Sequence, residues 1–148
     1  MLAVDVNEQR RELMKALIVE DDFTSRLLLQ RILSPHGEVH LAVDGEEAVT
    51  AFKSALEGGQ PYDLVCLDIM MPKKDGQAAL REMREIEAQR GILGLDGAKV
   101  IMVTALSDSK NIIESFASQC ESFIVKPLDR SKLLKELRSL KLLGEKAS

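Results

Sequence analysis

Four polar signatures in this sequence carry the residue types for phosphoryl chemistry. Asp68 closes the apolar run in VCLDIMMPKKDG (65–76), Glu20, Asp21 and Asp22 follow MKALIV (14–19), Thr104 closes KVIMVT (99–104), and Lys126-Pro127 follow SFIV (122–125). Carboxylates converging on one pocket repel one another unless a cation neutralises them. An all-oxygen donor set, with no histidine or cysteine in it, favours Mg2+ or Mn2+ over zinc. Lys126 supplies a second positive charge and Thr104 a hydroxyl. A cation, a lysine and a hydroxyl around an aspartate form a cage for the equatorial oxygens of a transferring phosphoryl group, and Asp68 is then the nucleophile that becomes an acyl phosphate.

These residues act together only if the fold gathers them. The apolar runs 14–19, 39–43, 63–67, 99–104 and 122–125 have the length and composition of buried strands. Amphipathic segments alternate with them. Segment 23–34 offers Leu28, Leu29, Ile32 and Leu33 as one face, and 45–57 offers Ala48, Val49, Phe52 and Leu56. Leu80 and Met83 mark a third helix, Ile112, Ile113 and Phe116 a fourth, and Leu133, Leu134, Leu137 and Leu140 a fifth. Asp44 and Asp75 are placed as N-caps, and Pro35-His36-Gly37 and Gly58-Gly59 end the first two helices. The order βαβαβαβαβα implies a parallel sheet with right-handed crossovers and helices on both faces. In such sheets ligands collect outside the carboxyl ends of the strands, which is where all four signatures fall.

A formal net charge of −4, a pI near 5.3 and the lack of a basic run argue against nucleic-acid or anionic-membrane partners. No apolar stretch reaches spanning length, and MLAVDVNEQRREL is too charged for a signal peptide. Cys66 and Cys120 lack metal-knuckle or redox spacing and read as free thiols of a cytoplasmic protein. One domain over 13–143 is expected, with an N-terminal extension at 1–12 and a tail at 144–148.

LIVEDD, YDLVCLDIMMPKKDG, VTA and VKP, in this order and spacing, resemble the response-regulator receiver domains of two-component signalling, over residues 14 to about 142. The resemblance implies a flavodoxin-like (βα)5 three-layer sandwich, with a five-stranded parallel sheet in the order 2-1-3-4-5. It implies that a sensor histidine kinase or phosphotransfer protein phosphorylates Asp68, and that the domain catalyses its own phosphorylation and dephosphorylation while acting mainly as a switch. Asp21 is the implied direct Mg2+ ligand, with Glu20 acting through water and the Met70 carbonyl as a further ligand beside Asp68. Thr104 and Lys126 are the implied partners of the phosphoryl group, and a cis Lys126-Pro127 peptide is implied beside them. Thr104 and Phe123 form the implied switch pair, although packing alone also accounts for Phe123. Output is implied on the face of the fourth helix, fifth strand and fifth helix, to a downstream protein or a second copy. Asp22 matches no ligand of the family.

Two other readings stand beside this one. A dehalogenase-like phosphatase uses an Asp nucleophile with Mg2+, but it places a second aspartate two residues on, where this chain has Met70. A non-phosphorylated pseudo-receiver, acting as a binding module, tends to lose members of the acidic and lysine set, which is complete here. RGILGLDGA (90–98) departs from the family by lengthening the connection before the fourth strand, with three aliphatics that read as exposed, as a flap or a partner contact. The chain ends soon after the fifth helix, consistent with a stand-alone or an excised receiver.

Overall fold

A computed structural model describes residues 14–69, 71, 74–105, 108, 110, 114 and 119–144. Strands β1 (Met14–Val19), β2 (Gly37–Ala42), β3 (Leu64–Asp68), β4 (Lys99–Thr104) and β5 (Ser122–Val125) form one parallel sheet in the order β2-β1-β3-β4-β5. The expected flavodoxin-like order is the observed one. Helices α1 (Phe23–Leu33), α2 (Gly45–Glu57) and α3 (Gly76–Gln89) return the chain between strands, and a C-terminal helix (Arg130–Ser139) follows β5. The helix expected around Ile112, Ile113 and Phe116 lies outside the described residues, as do Met70 and the segments 1–13 and 145–148; Lys110 and Glu114 are helical.

Period-two alternation along the strands sorts their side chains onto two faces. Leu17, Val19, Val65, Leu67, Val100 and Met102 meet Ala48, Phe52 and Leu56 of α2 and Leu80 and Met83 of α3. Ala16, Ile18, Leu64, Cys66, Ile101 and Ile124 meet Leu29, Ile32 and Leu33 of α1 and Leu133, Leu134 and Leu137 of the C-terminal helix. Two cores thus hold a sheet whose strand ends are free to carry polar groups. Each of these four fully described helices starts on an aspartate whose carboxylate accepts a backbone N–H of the first turn: Asp22 from Ser25, Asp44 from Glu47, Asp75 from Ala78 and Asp129 from Lys132.

Some boundaries differ from the sequence reading for local reasons. Strand β2 runs from Gly37 to Ala42 rather than over 39–43, because as an edge strand it pairs only with β1, whose partners extend from Met14↔Gly37 to Val19↔Ala42. Helix α1 stops at Leu33, where Ser34–His36 tightens into a 3-10 turn around Pro35, which has no N–H to donate. In the long connection Leu93 is exposed, as expected, but Ile92 is half-buried against the α2/α3 core. Gly94–Asp96 closes a 3-10 turn there, and Glu87 accepts the Ala98 N–H at 2.7 Å, so the segment is fastened at its end.

Candidate functional site

The acidic turn after β1 is built by the backbone. The Glu20 N–H donates to the Ala42 carbonyl at 3.0 Å, continuing the β1–β2 ladder, and the Glu20 side chain is buried. Asp21 is exposed. Asp22 turns away to cap α1, accepting from the Ser25 N–H at 2.8 Å, which lowers its pKa. That gives the third acid of the run a structural duty apart from the cluster. Arg26, one turn into α1, donates through Nη1 to the carbonyls of Glu20 (3.0 Å) and Asp21 (3.3 Å).

Asp68 ends β3 with its side chain almost buried, and the chain doubles back behind it: the Gly76 N–H donates to the Ile69 carbonyl at 3.1 Å. A Cβ on Gly76 would lie 2.5 Å from the Asp68 carbonyl oxygen, so only glycine permits this approach. Gly45 performs a similar task at the start of α2, where a Cβ would lie 2.2 Å from the Lys74 carbonyl oxygen. The loop after Asp68 is thereby seated against α2, and an ion pair between Lys74 and Glu82 ties it to α3.

Glu20, Asp21 and Asp68 each bring one carboxylate oxygen within 4.8 Å of the others. Lys126, after β5, places Nζ 3.1 Å from Glu20 Oε1 and 3.8 Å from Asp68 Oδ2. Burial lowers the Lys126 pKa, but the contact with Glu20 and the charges of Asp68, Glu20 and Asp22 outweigh it, and the net shift is upward. Formally, three carboxylates against one ammonium leave two negative charges, the charge a divalent cation neutralises. Hard oxygen donors at this spacing suit Mg2+ or Mn2+.

Thr104 closes β4, one residue beyond Val103, the register partner of Asp68. It is fully buried, and its Oγ1 has no hydrogen-bond partner among the described residues. An unsatisfied buried hydroxyl costs about 1–3 kcal/mol, which an incoming acceptor oxygen would recover. The Lys126-Pro127 peptide is cis. Four of the expected site residues therefore converge, Thr104 stands beside them, and Met70 lies outside the described residues. Phe123 is 52% exposed on β5 and points away from the core. His36 and His40 are remote; His40 Nδ1 lies 2.6 Å from the Tyr62 hydroxyl.

Sequence reasoning missed Arg26 and a second polar cluster at the opposite ends of the strands, centred on Arg84. Its only trace in the sequence is Glu87, an acid on the apolar stripe of α3 that carries Leu80 and Met83.

Comparisons with known proteins agree with this geometry. The family described as response regulator receiver domain matches residues 16–138. The chain is 34% identical to the chemotaxis protein CheY of Treponema pallidum, over 85% of this chain and 81% of that one. It is 32% identical to the osmosensing histidine protein kinase SLN1 of Saccharomyces cerevisiae over 80% of this chain, but spans only 9% of that protein. Among solved structures, a CheX-CheY-BeF3-Mg complex from Borrelia burgdorferi superposes with a TM-score of 0.70 at 34% identity, covering 86% of this chain and 89% of that one.

Proposed function

The chain belongs to the response regulator receiver domains, and on that premise we propose that Asp68 accepts a phosphoryl group from a sensor histidine kinase or phosphotransfer protein in a reaction that requires Mg2+, with Mn2+ as a substitute. The observation that carries this reading is the convergence of Glu20, Asp21 and Asp68 oxygens within 4.8 Å, with Lys126 Nζ 3.8 Å from the Asp68 carboxylate. A bound divalent ion supplies charge neutralisation for the acidic cluster and for the phosphoryl oxygens. Asp21 and Asp68 would hold it directly, Glu20 through water, and the Met70 carbonyl would complete the expected protein ligands.

The protein's own residues account for the rest. Asp68, fixed by the turn that Gly76 permits, presents a carboxylate oxygen as nucleophile. A P–O bond to Asp68 forms as the P–N bond of the donor phosphohistidine breaks, and the bonding pair stays on the imidazole nitrogen. Lys126 and the Thr104 hydroxyl stabilise the charge on the equatorial oxygens. Hydrolysis of the acyl phosphate returns Asp68, so the domain catalyses its own reset while serving mainly as a switch.

Output is assigned to the face of the expected fourth helix, marked by Ile112, Ile113 and Phe116, together with β5 and the C-terminal helix, read by a downstream protein or a second copy of the chain. The exposed Phe123 ring supports this, since a Thr104 hydroxyl drawn toward the phosphoryl group leaves space for an inward rotation. The phosphoryl group shifts this equilibrium only by its differential stabilisation of the two arrangements. Among the described residues no helix is long and apolar enough to cross a membrane; it is on the family membership that we place the domain's action in the cytoplasm.

Beryllofluoride, a phosphoryl analogue, tests the reading. It should bind at Asp68 with Mg2+ and not with EDTA, as followed by amide chemical shifts around residues 20, 68, 104 and 126. Indifference to it in both conditions would favour a pseudo-receiver that works by binding alone.

A further inference from the structure

We infer that Arg84, acting with Glu121, locks the register of β5 and so positions Lys126 at the acidic cluster. This rests on the reading of Asp68 as phosphoacceptor and adds a positioning residue to it, at the far end of the strand from the chemistry.

Strand β5 is poorly placed to hold its own register. It has four residues, lies at the sheet edge against β4 alone, and buries only Ile124 fully. Register is specified mainly by burying one face, so a short edge strand with a single buried side chain is weakly specified. Yet Lys126 follows it directly, and its place depends on that register. A slip of one residue moves the backbone by about 3.3 Å and turns alternate side chains to the opposite face. Lys126 Nζ, now 3.1 Å from Glu20 and 3.8 Å from Asp68, would lose both partners.

The lock sits before β5. Arg84 Nε and Nη2 donate to the Gln119 carbonyl at 3.0 and 2.9 Å, and Nη2 also reaches both Glu121 carboxylate oxygens at 3.1 Å. Nη1 donates to Glu87 Oε1 and to the Ala98 carbonyl, each at 2.9 Å. The guanidinium thus ties α3 to the start of β4 and to the entry of β5, in the planar, multidentate manner that lysine cannot reproduce. Glu121 completes it: its N–H donates to the Val100 carbonyl at 3.0 Å, and its carboxylate accepts the Val100 N–H. Both groups of Val100 are therefore bound by the residue preceding β5, which sets the register before the strand begins. At the other end the Lys126 N–H donates to the Thr104 carbonyl at 2.7 Å.

The test uses Arg84→Met, Lys126→Ala and the double variant, with Glu121→Gln as a milder probe that keeps an acceptor for the Val100 N–H. Three quantities are read: phosphorylation by phosphoramidate with Mg2+, Mg2+ affinity by calorimetry, and exchange of the Lys126 amide in the unliganded protein. Arg84→Met should slow phosphorylation about tenfold and raise Mg2+ affinity in the same direction as Lys126→Ala and by no more, because no metal ligand lies on β5 and the change reaches the acidic cluster only through Lys126. The double variant should be no slower than Lys126→Ala, since both changes remove one contribution. Exchange of the Lys126 amide should rise about tenfold or more while the β1 and β3 amides stay protected. Glu121→Gln should move the same readouts in the same direction by less. Additive losses in the double variant, or a Lys126 amide as protected as in wild type, would overturn the register lock. A wild-type protein that phosphoramidate cannot phosphorylate overturns the phosphoacceptor reading instead, and the amide exchange then decides the lock by itself.

Discussion

Lys126 stands closer to Glu20 (3.1 Å) than to the proposed phosphoacceptor Asp68 (3.8 Å). The ammonium therefore offsets the charge of an acidic residue proposed to help hold the cation, beside its own proposed role toward the phosphoryl group. These two roles respond oppositely to its removal. Lys126→Ala should raise Mg2+ affinity about three- to tenfold, the effect of losing one nearby positive charge at intermediate dielectric, while slowing phosphorylation of Asp68. Calorimetric Mg2+ titration beside a phosphorylation time course measures both, and a weakened Mg2+ affinity would show that Lys126 shapes the site rather than competing for it.

Gly76 lies behind Asp68 at a distance no side chain tolerates. Gly76→Ala places a Cβ 2.5 Å from the Asp68 carbonyl oxygen and 3.0 Å from that of Ile69, both backbone atoms that yield only by moving the nucleophile. The expected cost is about 1–3 kcal/mol of stability, with a loss of phosphorylation beyond what the unfolded fraction explains. Urea unfolding and phosphorylation of the folded protein separate the two effects.

Asp22 and Asp21 are neighbours with different duties. Asp22→Ala removes the α1 cap that accepts from Ser25, so the thermal midpoint should fall by a few degrees while Asp68 is still phosphorylated. Asp21→Ala should leave the midpoint near that of wild type and weaken Mg2+ binding. Equal loss of Mg2+ binding in both variants would make Asp22 a participant in the cluster.

Cys66 is fully buried in β3, and burial pushes its thiol from 9.0 up to about 12. The folded-state pKa lies above the unfolded one, so the neutral thiol's contribution to stability is complete below pH 9 and is lost as pH rises toward 12. In native protein at pH 8 a thiol reagent should leave Cys66 untouched and modify the half-buried Cys120 slowly, with both reacting in denaturant. Peptide mapping after brief alkylation reads this out.

What was legible in the sequence is local. Strand runs of four to six residues, the period-two sorting that puts Leu17 and Ile18 on opposite faces, and the caps Asp44 and Asp75 all follow from adjacent residues. The site was legible for the same reason: each member ends a strand or lies within two residues of its end, and parallel topology alone brings such positions together. Asp22 was visible but unexplained, because its carboxylate could serve a cluster or a cap and only the chain's direction after Asp21 decides. The Arg84 clamp was not legible. Its bond to Gln119 joins residues 35 apart, and the partners meet only when α3 packs beside the entry to β5. The 90–98 connection misled in part because Ile92, in a glycine-rich stretch, gives no local sign of packing against the core.

The most direct measurement of the central claim is intact-mass analysis after incubation with a small phosphodonor. With Mg2+, the wild-type protein should gain one phosphoryl group, lose it on treatment with hydroxylamine as an acyl phosphate does, and gain nothing in EDTA. Asp68→Asn should gain nothing in either condition. The same hydroxylamine-labile adduct on the Asn variant, or its absence from wild-type protein with Mg2+, would contradict the account.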